Sequence, residues 1–332
     1  PAWLIRATFL TTLLGLSVQP LAAQTADGDS AASSILLRPG VVVDTERDEI
    51  YLMAPGGGIE ALDLTDGRLL WRSDVADQPL AQHAGGLLAL RDSAQPGPEM
   101  TVKLLDSQGE EQLSTSLTLA SDVRVRVDDG LGEKFRIASA DGLIAWDYDA
   151  RDVRGALLTS PTDESVIQQP NVIERRGAAQ FDAAAGTLSF AGANSAGALA
   201  LLESPRVTVA AGDLPPALQG GSDQRTFRSG DSLHLVITSL HKSPHPGERY
   251  RWRVYERATQ KLLGTVLSAT SYSPFLVKGN LVIREVQALD VRQDDDTWTE
   301  IPLSIEGVRL SDGQQLWARP LRETRFEGPF PP

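Results

Sequence analysis

The chain of 332 residues contains no cysteine. That excludes disulfides, thiolate metal sites, cysteine nucleophiles and lipid attachment through a cysteine. Histidine is scarce, with 4 residues, and aromatic residues make up 6%, so composition points to neither a histidine metal centre nor an aromatic-lined sugar site. Basic residues are outnumbered: 31 Lys+Arg against 44 Asp+Glu give a formal net charge of -13. Such a surplus repels phosphate backbones, so no nucleic acid partner is expected. Long hydrophobic runs are missing after residue 23, and no part of the body keeps a sustained 3.6-residue apolar spacing.

What is present begins at the N-terminal end. Residues 1–23 have the layout of an export signal, with Arg6 before a mostly apolar run that includes Phe9, Leu13 and Leu16, then a proline and small residues. Cutting after Ala23 leaves Leu21, and cutting after Ala22 leaves Pro20, where a small residue is preferred. The expectation is therefore a retained membrane anchor, a hydrophobic helix at the short limit for crossing a bilayer, with Trp3 at the interface and Arg6 on the cytoplasmic side. Signal cleavage, giving a soluble periplasmic protein, is the alternative. Residues 24–34 read as a polar linker and 35–332 as the body.

In the body, short apolar segments alternate with Gly, Pro, Asp and Asn clusters, which predicts an all-β fold. The clearest unit runs VVVD, EIYLMAP, GIEALDL and RLLWRSD from Val41, four candidate strands joined by short turns. Its third strand puts Ile59 and Ala61 on one face and Leu62 and Leu64 on the other, as in a sheet covered on both sides. Gly67 and Gly109 are 42 residues apart (109 − 67), and Ala61 and Ala145 are 84 apart (145 − 61), twice that spacing. Related units start at Val254 and Gly307. A period of about 40 to 45 residues with four strands per unit predicts a β-propeller of about six to seven four-stranded blades.

The stretch ALDLTDGRLLW, Ala61 to Trp71, with its second copy VRLSDGQQLW, Val308 to Trp317, resembles the PQQ-like or quinoprotein-type propeller repeat. Physically, Asp66-Gly67 and Asp312-Gly313 suit a tight hairpin turn in which glycine takes positive φ and aspartate tolerates it. Trp71 and Trp317 fall at equivalent places, where a ring can wedge between neighbouring blades. Asp63 and Asp290, in ALDL and ALDV, are read as loop caps that accept from backbone amides. The resemblance implies a fold more than an activity. Similar enzymes hold a quinone with calcium, a catalytic aspartate and often paired cysteines; with no cysteine and a shorter body, no cofactor, catalytic residue or metal is expected.

Other constellations read as structural. His241 and His245 are four apart but flanked by prolines and a glycine, which opposes a helix presenting both to a metal. Asp294 to Asp296 read as a solvated hairpin tip, and the glycines of PGGGIEAL open a strand instead of a helix, unlike a phosphate loop. Two long loops, Leu214 to Gly230 and His241 to Tyr250, are places for partner contacts; the second offers His241, Lys242 and Arg249. In the C-terminal RFEGPFPP, Phe326 and Phe330 are expected to seal the last blade to the first, around Ile35 to Val43.

Together these features predict a non-catalytic, exported interaction scaffold. It would be an accessory subunit holding other protein subunits of a bacterial membrane complex from the periplasmic side, tethered by its N-terminal helix. Similar propellers scaffold outer-membrane protein insertion or decorate respiratory and photosynthetic complexes. The alternatives are a soluble periplasmic ligand-binding propeller and, further off, a quinoprotein-type oxidoreductase. No small-molecule ligand is identified.

Overall fold

A computed structural model describes residues 34–92, 97–123, 125, 133–151, 172–191, 224–229, 233–240, 248–271, 273–292 and 298–322. Every regular element among them is a β-strand. The first sheet holds β1 (Ser34–Arg38), β2 (Val41–Asp44), β3 (Glu49–Met53), β4 (Ile59–Asp63) and β5 (Leu69–Ser73). The second holds β6 (Gln78–His83), β7 (Gly86–Arg91), β8 (Glu99–Leu105) and β9 (Glu111–Thr118). The third holds β10 (Glu133–Ala140), β11 (Leu143–Arg151), β12 (Val172–Asp182) and β13 (Thr187–Phe190). The fourth holds β14 (Gln224–Ser229), β15 (Leu233–Ser239), β16 (Tyr250–Glu256) and β17 (Leu262–Ser268).

The fifth sheet is interrupted. Its strands are β18 (Phe275–Lys278), β19 (Leu281–Val286), β22 (Ser304–Arg309) and β23 (Gln315–Pro320), while β20 (Leu289–Arg292) and β21 (Trp298–Ile301) form a separate hairpin inserted between β19 and β22. All five sheets are antiparallel meanders, each strand pairing with its neighbours in chain order once that insertion is set aside. Short turns and period-two patterning give this arrangement directly, since a two-strand antiparallel link needs only a few residues.

The sheets cover one another face to face. Ile59, Ala61 and Trp71 of the first sheet pack with Leu87, Ala89 and Leu105 of the second. The opposite face of the first sheet, with Val41, Val43, Leu62 and Leu64, packs with Ile283, Ile305 and Trp317 of the fifth. Leu88, Met100 and Leu104 of the second sheet pack with Ile137, Trp146 and Phe181 of the third. Trp252, Val254 and Val266 of the fourth pack with Val282, Val308 and Leu310 of the fifth. The first, second and fifth sheets are thus covered on both faces, and the last sheet lies against the first.

The described residues hold five four- or five-stranded sheets, against the six to seven expected. Two further expectations change. Residues 224–229, read as part of a loop, form β14, a strand that continues the fourth sheet. The unit aligned at Ala145 is out of phase: Ala145 lies on the second strand of its sheet, paired with Ala138, whereas Ala61 lies on the strand before the last. A shared Ala-x-Asp tripeptide matched two different strand positions. The N-terminal residues 1–33 lie outside the described residues, and among those described no helix is long and apolar enough to cross a membrane.

Candidate functional site

The repeat motif turns out to be a joint between sheets. In each sheet a turn precedes the outermost strand, and a residue with positive φ sits at its end: Gly67 at 70°, Gly109 at 80°, Gly186 at 64°, Gln260 at 57° and Gly313 at 71°. Only the first two are 42 residues apart (109 − 67); the next steps are 77 (186 − 109), 74 (260 − 186) and 53 (313 − 260). The turns themselves stay alike. Asp63 N–H donates to Arg68 O at 2.9 Å, Glu256 N–H to Lys261 O at 2.9 Å and Arg309 N–H to Gln314 O at 2.8 Å.

Aspartates secure these turns. Asp63 Oδ1 accepts from Thr65 N at 2.9 Å, Asp66 Oδ1 from Arg68 N at 2.9 Å, and Asp312 Oδ1 from Gln314 N at 3.0 Å. Asp106 does the same for Gln108 and Glu110, at 2.8 and 3.0 Å. The Gln314 amide, followed by the Arg309 guanidinium, holds the Asp312 carboxyl below its ordinary value. Asp66 is not in the left-handed region, so the turn is not the two-residue hairpin the dipeptide suggested: it runs from Asp63 to Arg68, with glycine alone at positive φ. The structure places Asp290 on a different kind of element from Asp63. It lies within β20, opposite Glu300, in the inserted hairpin and away from any repeat turn.

Over each turn glycine lies the wedge of the preceding sheet. A Cβ at Gly109 would fall 2.5 Å from Trp71 Cε3, and one at Gly67 would fall 2.5 Å from Trp317 Cγ. Both tryptophans are nine-tenths or more buried, Trp71 being 9% exposed and Trp317 7%. Two residues beyond each tryptophan, a side chain donates to the same glycine's carbonyl: Ser73 Oγ to Gly109 O at 2.6 Å, and Arg319 Nη2 to Gly67 O at 2.8 Å. The module thus joins the first sheet to the second and the fifth to the first. Leu113 fills the same place over Gly186, its Cδ2 3.5 Å from a built Cβ. In the fourth sheet the position is Gly264, where a Cβ would fall 1.7 Å from Leu310 O, so the next sheet's turn moves into the space a tryptophan would occupy.

The fifth-to-first junction carries further contacts that sequence reasoning missed. Trp317 Nε1 donates to Leu64 O at 3.0 Å. Lys278 Nζ donates to Thr45 O at 2.6 Å and pairs with Asp48. Arg38 Nη1 pairs with Glu285 Oε2 at 3.1 Å; burial raises the Glu285 carboxyl, and the guanidinium opposes part of that rise. Arg322 Nη2 reaches Asp77 Oδ1, at the entry to the second sheet, at 3.8 Å, spanning past the first. These cations are distant in sequence from their partners, and only the Gly-to-Trp spacing of four, shared by 67/71 and 313/317, offered a local signal.

No family model matches this sequence, and no curated protein matches it. Among solved structures, it is similar to the Dos1 propeller at 10% identity and a TM-score of 0.21, over 84% of this chain and 56% of that one. It is similar to BamB from Moraxella catarrhalis at 12% identity and a TM-score of 0.20, over 83% of this chain and 62% of that one. The quinohemoprotein alcohol dehydrogenase ADHIIG from Pseudomonas putida HK5 is similar at 12% identity and a TM-score of 0.20, over 85% and 64% of the two chains. This chain spans less than two thirds of the length of each. At those TM-scores the likenesses carry no argument, and the architecture rests on the sheet order and packing described above.

Of the remaining candidates, Arg249 is exposed immediately before β16. His241, Lys242, Phe326, Phe330, Asp294 to Asp296, and Trp3, Arg6, Phe9, Leu13 and Leu16 lie outside the described residues. Closure of the described sheets runs through Trp317, Arg319 and Lys278, with Val41 and Val43 as counterparts on β2. Among the described residues no group of three His, Asp or Glu side chains is placed to hold a metal ion.

Proposed function

We propose that the chain is a β-propeller acting as a non-catalytic scaffold, exported to the periplasm and tethered by its N-terminal hydrophobic segment as an accessory subunit of a membrane protein complex. One observation carries the reading: the tryptophans and aspartates of the repeat, the residues best suited to binding or chemistry, are engaged in turns and in joints between sheets. A rigid ring with its repeat residues committed inward leaves its loops and strand edges for partner contacts. The anchor would raise the effective concentration of the scaffold beside its partners.

A mild-detergent pull-down from native membranes, with mass spectrometry of the intact chain, tests this. Co-purifying membrane subunits together with an intact residue 1–23 segment are the expected result. Recovery of the protein alone from the soluble fraction, beginning near Gln24, would overturn the anchored subunit. Oxidation of an alcohol or sugar by purified protein with added quinone and calcium would overturn the non-catalytic reading.

A further inference from the structure

The outer strand of the second sheet differs from its counterparts. An outermost strand presents unpaired N–H and C=O groups, and folded proteins guard such edges with charge, proline, bulges or brevity. β5 carries Arg72, β13 has four residues, and β23 carries Arg319 and ends at Pro320. On β17, Leu267 O accepts from Arg284 Nη2 at 2.6 Å and Thr265 O lies against the turn at Gly313. β9 has eight residues, EQLSTSLT, uncharged and without proline from Gln112 to Thr118, and its exposure alternates residue by residue over that span. Among the described residues, no other strand pairs with its outer side.

The sequence of that edge is palindromic: Leu113-Ser114-Thr115-Ser116-Leu117 reads the same in both directions. An antiparallel strand pair related by a two-fold axis sets residues opposite each other in reversed order. With the axis at Thr115, Leu113 meets Leu117 of a second copy, Ser114 meets Ser116, Gln112 meets Thr118, and Thr115 meets itself. The hydrogen-bond phase agrees. Leu119 N–H donates inward to Pro98 O at 2.8 Å, and β8 and β9 stay in register from Glu99/Thr118 to Leu104/Leu113, so Leu113, Thr115 and Leu117 also turn their backbone groups inward. Gln112, Ser114, Ser116 and Thr118 then turn theirs outward, and each outward pair in the dimer exchanges both N–H···O bonds.

Charge permits the same pairing. Glu111, the strand's one charged residue, would face Leu119 of the second copy and is already paired with Lys103, so no like charges meet across the axis. We infer that β9 is a self-docking edge, through which two copies of this chain form one continuous eight-stranded sheet about a two-fold axis at Thr115. Nothing in this pairing depends on the scaffold reading. A single edge pair is small beside a standard interface of about 1,600 Å², so association in the micromolar range is expected.

The full chain in mild detergent should show a reversible monomer-dimer equilibrium in sedimentation velocity between about 1 and 100 µM. Thr115→Lys and Thr115→Glu should each weaken dimerisation at least tenfold, and an equal mixture of the two should restore it. Because the chain has no cysteine, Thr115→Cys reports on the axis directly. The facing Cα atoms of a non-hydrogen-bonded pair lie about 4.5 Å apart, within disulfide range. Under mild oxidation it should cross-link at least tenfold faster than Ser107→Cys on the adjacent turn. A wild-type monomer at about 100 µM, a dimer untouched by Thr115→Lys, or equal cross-linking of the two cysteine variants would overturn the inference, and the cysteine comparison decides the matter even if a charged variant fails to fold.

Discussion

Trp317 of the last sheet lies across Gly67 of the first, so close that a single added methyl at Gly67 would fall 2.5 Å from its Cγ. Arg319 donates to the carbonyl of the same glycine at 2.8 Å. The two ends of the described chain meet in one joint.

Truncating that wedge should be costly. Trp317→Ala is expected to lower stability by about 3–5 kcal/mol, and Trp71→Ala by a similar amount. The tryptophan-to-phenylalanine changes should separate the two positions. Trp317 Nε1 donates to Leu64 O, whereas Trp71 Nε1 has no hydrogen-bond partner among the described residues. Trp317→Phe should therefore cost about 1–3 kcal/mol more than Trp71→Phe. Urea unfolding of the four variants checks this, and equal phenylalanine costs would show that the indole hydrogen bond contributes nothing.

Two glycines give a contrast between backbone strain and steric exclusion. Gly85 has φ of 80° with open space around it, so Gly85→Ala should cost about 1–2 kcal/mol through conformation alone. Gly264 has no positive φ, yet its Cβ would fall 1.7 Å from Leu310 O, a backbone atom of the next sheet. Gly264→Ala should cost about 3 kcal/mol or more. Melting curves that rank Gly85→Ala as the worse variant would contradict this packing.

On the face of the fifth sheet that meets the fourth, Arg284 Nε donates to its cross-strand neighbour Glu306 Oε1 at 2.5 Å, both side chains being 9% exposed, and its guanidinium lies 5.3 Å from the Trp252 ring of the fourth sheet. Removing one partner strands a buried charge, so Arg284→Met or Glu306→Leu alone should destabilise by about 3–5 kcal/mol. The double replacement should recover most of that loss. A double-mutant cycle in which the losses simply add would mean that the pair does not interact.

The Arg38–Glu285 contact predicts a pH effect. Burial raises the Glu285 carboxyl from 4.5, so the folded protein holds this proton to higher pH than the unfolded chain does. Stability linked to it is present below the ordinary carboxylate range and is lost as pH rises through the raised value. Relative to Glu285→Gln, the wild type should therefore lose stability as pH climbs upward from 4.5. Urea titrations of both proteins at several pH values measure the difference, and a wild type that gains on Glu285→Gln with rising pH would reverse the sign.

Where the sequence held a local signal, it was legible. The four strands from Val41 to Ser73 could be read as short, near-continuous apolar runs separated by turn residues, because the sheet is covered on both faces and the turns are short. The Asp-Gly pairs at 66/67 and 312/313, each followed by a strand carrying tryptophan, marked two outer hairpins. The repeat failed where turn chemistry changed: Gln260 takes the left-handed position that glycine fills elsewhere, and Leu113 and Gly264 stand where tryptophan does. The insertion at β20 and β21 placed an Ala-Leu-Asp tripeptide outside any repeat turn. The joints made by Lys278, Arg319 and Arg322 could not be read, since each unites residues brought together only when the last sheet packs on the first.

The joint at Trp317 also sets an order of events. Its two hydrogen bonds to the first sheet link residues 253 and 252 positions apart. Closing so long a loop carries an entropic cost that local hairpins do not, and contacts of this range form late. As the chain emerges N-terminus first, Val41, Val43, Leu62 and Leu64 are made early and stay without their cover until the final hairpin arrives. The first sheet thus spends most of synthesis with one apolar face open, and transiently exposed apolar surface of that kind is what chaperones cover.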